Sequence, residues 1–276
     1  MAVITYPSPI YVLLLSLLAF PLAQFFVFPM IASFDDHLGL IAAEFSLLLV
    51  LLIFIWHHRW TVEDLFLTNA THPIVLLGTV AAALGGSLLV AEIDLISGWV
   101  FDAVDFNMPV FLQHDLLELQ IVREYSEIGK VVTALVIAPG ICEEIFFRGF
   151  VFVVLTARYG TFIGGFVSAL LFAIVHLNPW QFPALFLFGG FLALLVYWTH
   201  SIYPAIIAHM INNAISVIGI NGRVYSGIDP LGSAQFLSTP VLLIAVFLMG
   251  VGIYFIRAKP PIMPLILAYD QNTVTR

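Results

Sequence analysis

The chain has 276 residues, 62% of them hydrophobic and 9% charged, whereas a soluble domain is usually ~45–50% apolar and ~25% charged. Its 9 Lys and Arg with 17 Asp and Glu are too few to cover a water-facing surface of this size, so lipid must be the solvent for most of it, and disorder is excluded. The net charge of −8 argues against a nucleic-acid partner and against polybasic docking to anionic lipid.

A transmembrane helix needs about 20 mostly apolar residues. Residues 1–10 carry no Lys or Arg, so the basic region of a secretory signal is missing. The apolar run 10–34 is therefore read as a retained first helix. The runs 38–56 and 73–100 follow, then 128–157 with Pro139-Gly140 inside it, 162–177, 182–198, 203–220 and 236–256. The expectation is an all-α fold, a polytopic membrane bundle of about eight transmembrane helices. Its connections are short and polar, such as Asp35-Asp36-His37 and His200-Ser201, as in one antiparallel bundle.

Two connections are longer. Residues 57–72 include Trp60 and the pair Glu63-Asp64. Residues 101–127 hold six acids and read as a surface-lying helix with Leu116, Leu117, Leu119, Ile121 and Val122 toward one side. The organisation is thus an N-terminal membrane region over 1–127, a core over 128–220, and a last crossing with a tail over 221–276. An even number of crossings puts both termini on the side of Arg59, Arg158, Arg257 and Lys259, against Arg123, Lys130 and Arg223. Four charges against three favours cytoplasmic termini. The single cysteine, Cys142, permits no internal disulfide.

An ionisable side chain at bilayer depth is costly and marks a functional site by default. The segment Cys142 to Arg148 places Glu143, Glu144 and Arg148 in an otherwise lipid-like helix. Glu144 and Arg148 stand four apart and can pair, which leaves Glu143 without that partner. Glu143 lies 15 residues before Arg158, and His176 lies 15 residues after Thr161. Both are then roughly 22 Å from the turn between them, so antiparallel neighbours bring a carboxylate and an imidazole to one depth. His209 and Asn213 share a face of the seventh run at roughly 12 and 18 Å, a gap that tilt must close. Glu44 reads as a packing group, and Glu92 and Asp94 as acids snorkelling toward headgroups.

A carboxylate and an imidazole that share a water can remove its proton and aim it at a carbonyl carbon. A second His and an Asn amide can donate to the oxyanion that forms, one such donor being worth ~3–4 kcal/mol. Glu143, His176 and His209 would equally make a zinc site with an open position, although neither His belongs to an HExxH pair. Cys142 points to another helical face, in surroundings too apolar for a thiolate.

The ordered motifs EExxxR (Glu143, Glu144, Arg148), FxxxH (Phe172, His176) and HxxxN (His209, Asn213), each on its own apolar helix, resemble the CPBP family over about residues 128–220. That family comprises CAAX prenyl endopeptidases together with bacterial Abi and lysostaphin-resistance relatives. The resemblance implies an intramembrane endopeptidase of eight helices. Glu143 and His176 would activate water, His209 and Asn213 would line the oxyanion site, and Glu144, Arg148 and Phe172 would support them. It leaves metal dependence open, with Zn2+ possible at Glu143, His176 and His209. The expected partners are a lipid bilayer and a membrane-associated peptide or lipidated protein, with no nucleic acid, and the expected location is the cell membrane as a multi-pass protein. Two rival readings use the same residues: a non-catalytic scaffold or immunity protein of the same fold, and a small transporter or proton relay. The second is weakened because the polar groups converge at one depth instead of forming a chain across the membrane.

Overall fold

The computed structural model describes residues 7–58, 60, 67–228 and 236–259. Arg59, the pair Glu63-Asp64 and the tail beyond residue 259 lie outside the described residues. The chain forms α1 (Pro9–Ala32), α2 (Asp36–His57), α3 (Pro73–Ala103), the short α4 (Val110–Glu118) and α5 (residues 128–159). It continues as α6 (Thr161–Val175), α7 (Phe182–Thr199), α8 (Tyr203–Tyr225) and α9 (Thr239–Arg257). Six of these, α1, α2, α3, α7, α8 and α9, are long and apolar enough to cross a membrane. The architecture is an all-α, multi-pass bundle.

Helix starts follow local chemistry. Pro stands in the first turn of α1, α3, α7, α8 and α9, where its missing N–H leaves no bond unmade. Asp35 caps α2, its carboxylate accepting from the Leu38 amide at 3.0 Å. Gly160, at φ 84°, reverses the chain between α5 and α6 in a conformation that favours glycine.

The two remaining apolar runs differ from simple crossings. The fourth, α5, is widened by π-helical turns at Thr133–Ile137 and Ile145–Val151, a feature frequent at functional sites. The fifth, α6, has 15 residues, about 22 Å of helix against a hydrocarbon core of about 30 Å.

Every residue from Phe146 to Ala157 is buried, which makes α5 the central element, enclosed by its neighbours. Large apolar side chains such as Phe25 and Phe26 of α1, Phe162 of α6 and Phe247 of α9 are exposed on the outside, as expected where lipid is the solvent. The longest seam joins α3 to α9. A Cβ on Gly252 would stand 2.3 Å from the Ala82 nitrogen and 2.4 Å from the Gly78 oxygen, so only small residues allow this approach.

The stretch after α3 does lie along the bundle, but its helix is short. Beyond α4 the chain runs extended and is fastened to the end of α8. Asn221 accepts from the Val122 amide and donates to the Gln120 carbonyl, each at 2.8 Å. Asp35 and Lys130 tie the start of α2 to that of α5.

Candidate active site

Glu143 and Glu144 sit at the end of the turn that precedes the second π-helical stretch of α5, and both are buried. His176 follows the last residue of α6, where the chain turns through Leu177 at φ 52°. The structure brings His176 Nε2 to 3.7 Å from Glu143 Oε2. That separation exceeds a direct hydrogen bond, yet one water can touch both atoms at about 2.8 Å. The other ring nitrogen is already committed: Nδ1 lies 2.6 Å from the Phe172 carbonyl, and the carbonyl can only accept. The imidazole is thereby fixed with Nδ1 protonated and the Nε2 lone pair toward Glu143.

The second histidine joins a different carboxylate. His209 Nδ1 donates to Glu144 Oε1 at 2.8 Å, and Arg148 Nη1 donates to the same oxygen at 2.9 Å. Arg148 Nη2 also donates to the Gly189 carbonyl of α7 at 2.9 Å. The pair expected within EExxxR is thus present and extends into a buried network of α5, α7 and α8. Its link to His209 was not legible from the motif alone. Part of the depth gap between these helices is taken up by the π-helical turn Ile145–Val151, which advances less per residue than α-helix and draws Glu144 toward the Arg158 turn.

Phe172 is the centre of this packing. Its buried ring lies 4.7 Å from the His176 ring, 5.8 Å from that of His209 and 4.5 Å from the Arg148 guanidinium carbon. The last contact offers a cation a π face in place of water. Asn213, one turn beyond His209, donates from Nδ2 to the Leu135 carbonyl at 3.0 Å and accepts from Asn212 at 3.3 Å. Its hydrogen bonds among the described residues therefore run to the first π-helical turn of α5 and not to Glu143 or His176.

Other acids have partners inside the protein. Glu92 accepts from the Leu237 amide at 2.8 Å, and Asp94 meets the Gln181 side chain. Glu44 of α2 is brought against Glu143, within hydrogen-bonding reach of its carboxyl, and Cys142 is buried beside them. Among the described residues no three His, Cys, Asp or Glu side chains come together as a group able to hold a metal ion. His209 is held through Nδ1 by Glu144, so Nε2 is the nitrogen it has left to present toward the Glu143–His176 pair.

This arrangement falls within a segment with known kin. Residues 127–215 match the family model described as type II CAAX prenyl endopeptidase Rce1-like. The match is consistent with the CPBP family and spans Glu143, Glu144, Arg148, Phe172, His176, His209 and Asn213. It points to a protease, in an integral multi-pass membrane setting that the six long apolar helices supply. No curated protein and no solved structure matches the chain.

Proposed function

We propose that the chain is a glutamic-type intramembrane endopeptidase of the cell membrane, acting on a membrane-associated, CAAX-type prenylated protein or peptide. The observation that carries this reading is the 3.7 Å approach of Glu143 and His176, two acceptors that one water can serve with its two protons. Both of its lone pairs then point away from the two acceptors, and one of them can face a carbonyl carbon.

As oxygen bonds to that carbon, the water proton passes to the Glu143–His176 pair and negative charge develops on the carbonyl oxygen. The His209 ring, held through Nδ1 by Glu144, offers Nε2 to that oxygen when this nitrogen carries a proton. Asn213 has a second amide proton beyond the one given to Leu135. Collapse of the intermediate breaks the C–N bond, and the proton held by the pair goes to the departing amine. Glu144, Arg148 and Phe172 orient these groups without touching the reacting atoms.

The test is cleavage of a farnesylated peptide ending in a CAAX sequence by the full chain in detergent. Wild type cuts it, while Glu143→Gln and His176→Phe lose about 10²–10⁴-fold in rate and still fold. Cleavage unchanged in either variant would refute the mechanism. A folded wild type that cuts neither this peptide nor any polypeptide of its native membrane would leave the scaffold role instead.

A further inference from the structure

Glu44 is the one acid in the middle of α2, and the proposed mechanism makes no use of it. It does not face lipid. Positions 44, 47, 51 and 55 follow the i, i+3, i+7 spacing of one helical stripe, and Leu47, Leu51 and Ile55 on that stripe are buried against the bundle. Glu44 Oε2 is buried without a hydrogen-bond partner among the described residues, and so is Glu143 Oε2. The groups facing Glu44 come from α5: the Glu143 carboxyl, within hydrogen-bonding reach, and the Cys142 thiol. Other charged side chains of α5 near this face have partners elsewhere, Lys130 with Asp35 and Arg148 with Glu144.

Two carboxylates in contact inside an apolar bundle repel each other with no cation between them, whereas one shared proton turns the contact into a charge-assisted hydrogen bond. A carboxylate with a single fixed donor also has a defined orientation, and among the described residues Glu143 Oε2 has no hydrogen-bond partner to supply one. We propose that Glu44 is a positioning residue of the hydrolytic centre, its carboxyl donating a hydrogen bond to Glu143 and thereby setting which Glu143 oxygen faces His176. This rests on the endopeptidase reading for its consequence, though not for the contact itself.

Two measurements on the full chain in detergent test it. Infrared spectra at neutral pH report the C=O stretch of a protonated carboxyl without any substrate. The band is expected in wild type, absent in Glu44→Gln and shifted in frequency in Glu143→Gln. A band that survives Glu44→Gln, or is unmoved by Glu143→Gln, overturns the proposal. The second measurement is cleavage of the farnesylated CAAX peptide. Glu44→Gln keeps an N–H donor and is expected to retain kcat within about threefold, whereas Glu44→Leu loses about 10²-fold in kcat with KM unchanged, the scale of a misplaced catalytic group. Leucine suits an apolar bundle, so its melting temperature should not fall, and lost kcat there is not lost fold. Equal kcat in Glu44→Leu and wild type, or equal loss in both variants, overturns the proposal. If wild type cleaves nothing, the endopeptidase reading fails while the infrared result still decides the contact.

Discussion

The buried network of Glu144, Arg148 and His209 allows stability and chemistry to be separated by mutation. Glu144 Oε1 accepts from both Arg148 Nη1 and His209 Nδ1, and neither Glu144 nor Arg148 has any exposed surface. Glu144→Leu leaves a guanidinium in an apolar interior with, among the described residues, only the Gly189 carbonyl as hydrogen-bond partner. Removing one member of a buried pair costs about 3–5 kcal/mol, which corresponds to a fall of roughly 6–20 °C in melting temperature for a chain of this size. Arg148→Met strands the carboxylate and should cost a similar amount. The double variant Glu144→Leu/Arg148→Met removes both charges at nearly constant volume and should melt at or above the wild-type temperature, because apolar replacement of a buried pair is often neutral or stabilising. It nonetheless deprives His209 of the carboxylate that holds its Nδ1 and should lower kcat about 10²-fold. Cys142, the single and fully buried thiol, supplies the assay: a thiol-reactive fluorophore reports unfolding directly in detergent. Single variants that melt with wild type, a double variant as unstable as either single, or a double variant with full activity would each refute this account.

Three further outcomes follow from the packing. Phe172→Ala removes a buried ring that touches Arg148, His176 and His209; it should cost about 3–5 kcal/mol by thermal unfolding and lower the rate of cleavage. Cys142→Ala should leave peptide cleavage unchanged, since the thiol is enclosed in the bundle and the mechanism has no covalent intermediate; loss of activity with retained fold would reinstate a thiol nucleophile. At the membrane edge, the Lys130 ammonium, assisted by the Leu38 amide, holds the Asp35 carboxyl below its usual range. A depressed carboxyl contributes stability above its unfolded value and loses it as pH falls through the folded one. Acidification below pH about 4 should therefore lower the melting temperature of wild type more than that of Asp35→Asn.

Periodicity carried the helices, since apolar length marks a span wherever lipid is the solvent. The runs 38–56 and 73–100 reappear as Asp36–His57 and Pro73–Ala103. The fifth run, 162–177, likewise reappears as Thr161–Val175, but periodicity did not carry the shape of the fourth, because apolar length does not report the π-helical turns of α5. In the site, the meeting of Glu143 with His176 followed from counting residues back and forward from one tight turn, a local argument. The contacts of Glu144 with His209 and of Glu44 with Glu143 join helices 65 and 99 positions apart in sequence, and no periodicity fixes the rotation of such helices about their own axes. Glu44 gave a signal all the same, being a lone acid in an apolar span. What it lacked was a visible partner.

The early end of α6 explains why FxxxH suits an intramembrane histidine. The last four carbonyls of a helix have no partner within it, and in α6 these belong to residues 172–175. Bare carbonyls at bilayer depth cost several kcal/mol each, so a side chain that donates to one of them stabilises the helix end. His176 does this with Nδ1 toward Phe172, and satisfying the backbone is the same act that fixes the tautomer and turns Nε2 toward Glu143. The Phe172 ring beneath it keeps the imidazole from rotating away. Had α6 continued for another turn to reach the far face, the Phe172 carbonyl would have entered the helical ladder and the imidazole would have lost its anchor. The end of α6 at Val175 is thus what leaves the Phe172 carbonyl free to give the histidine one defined lone pair.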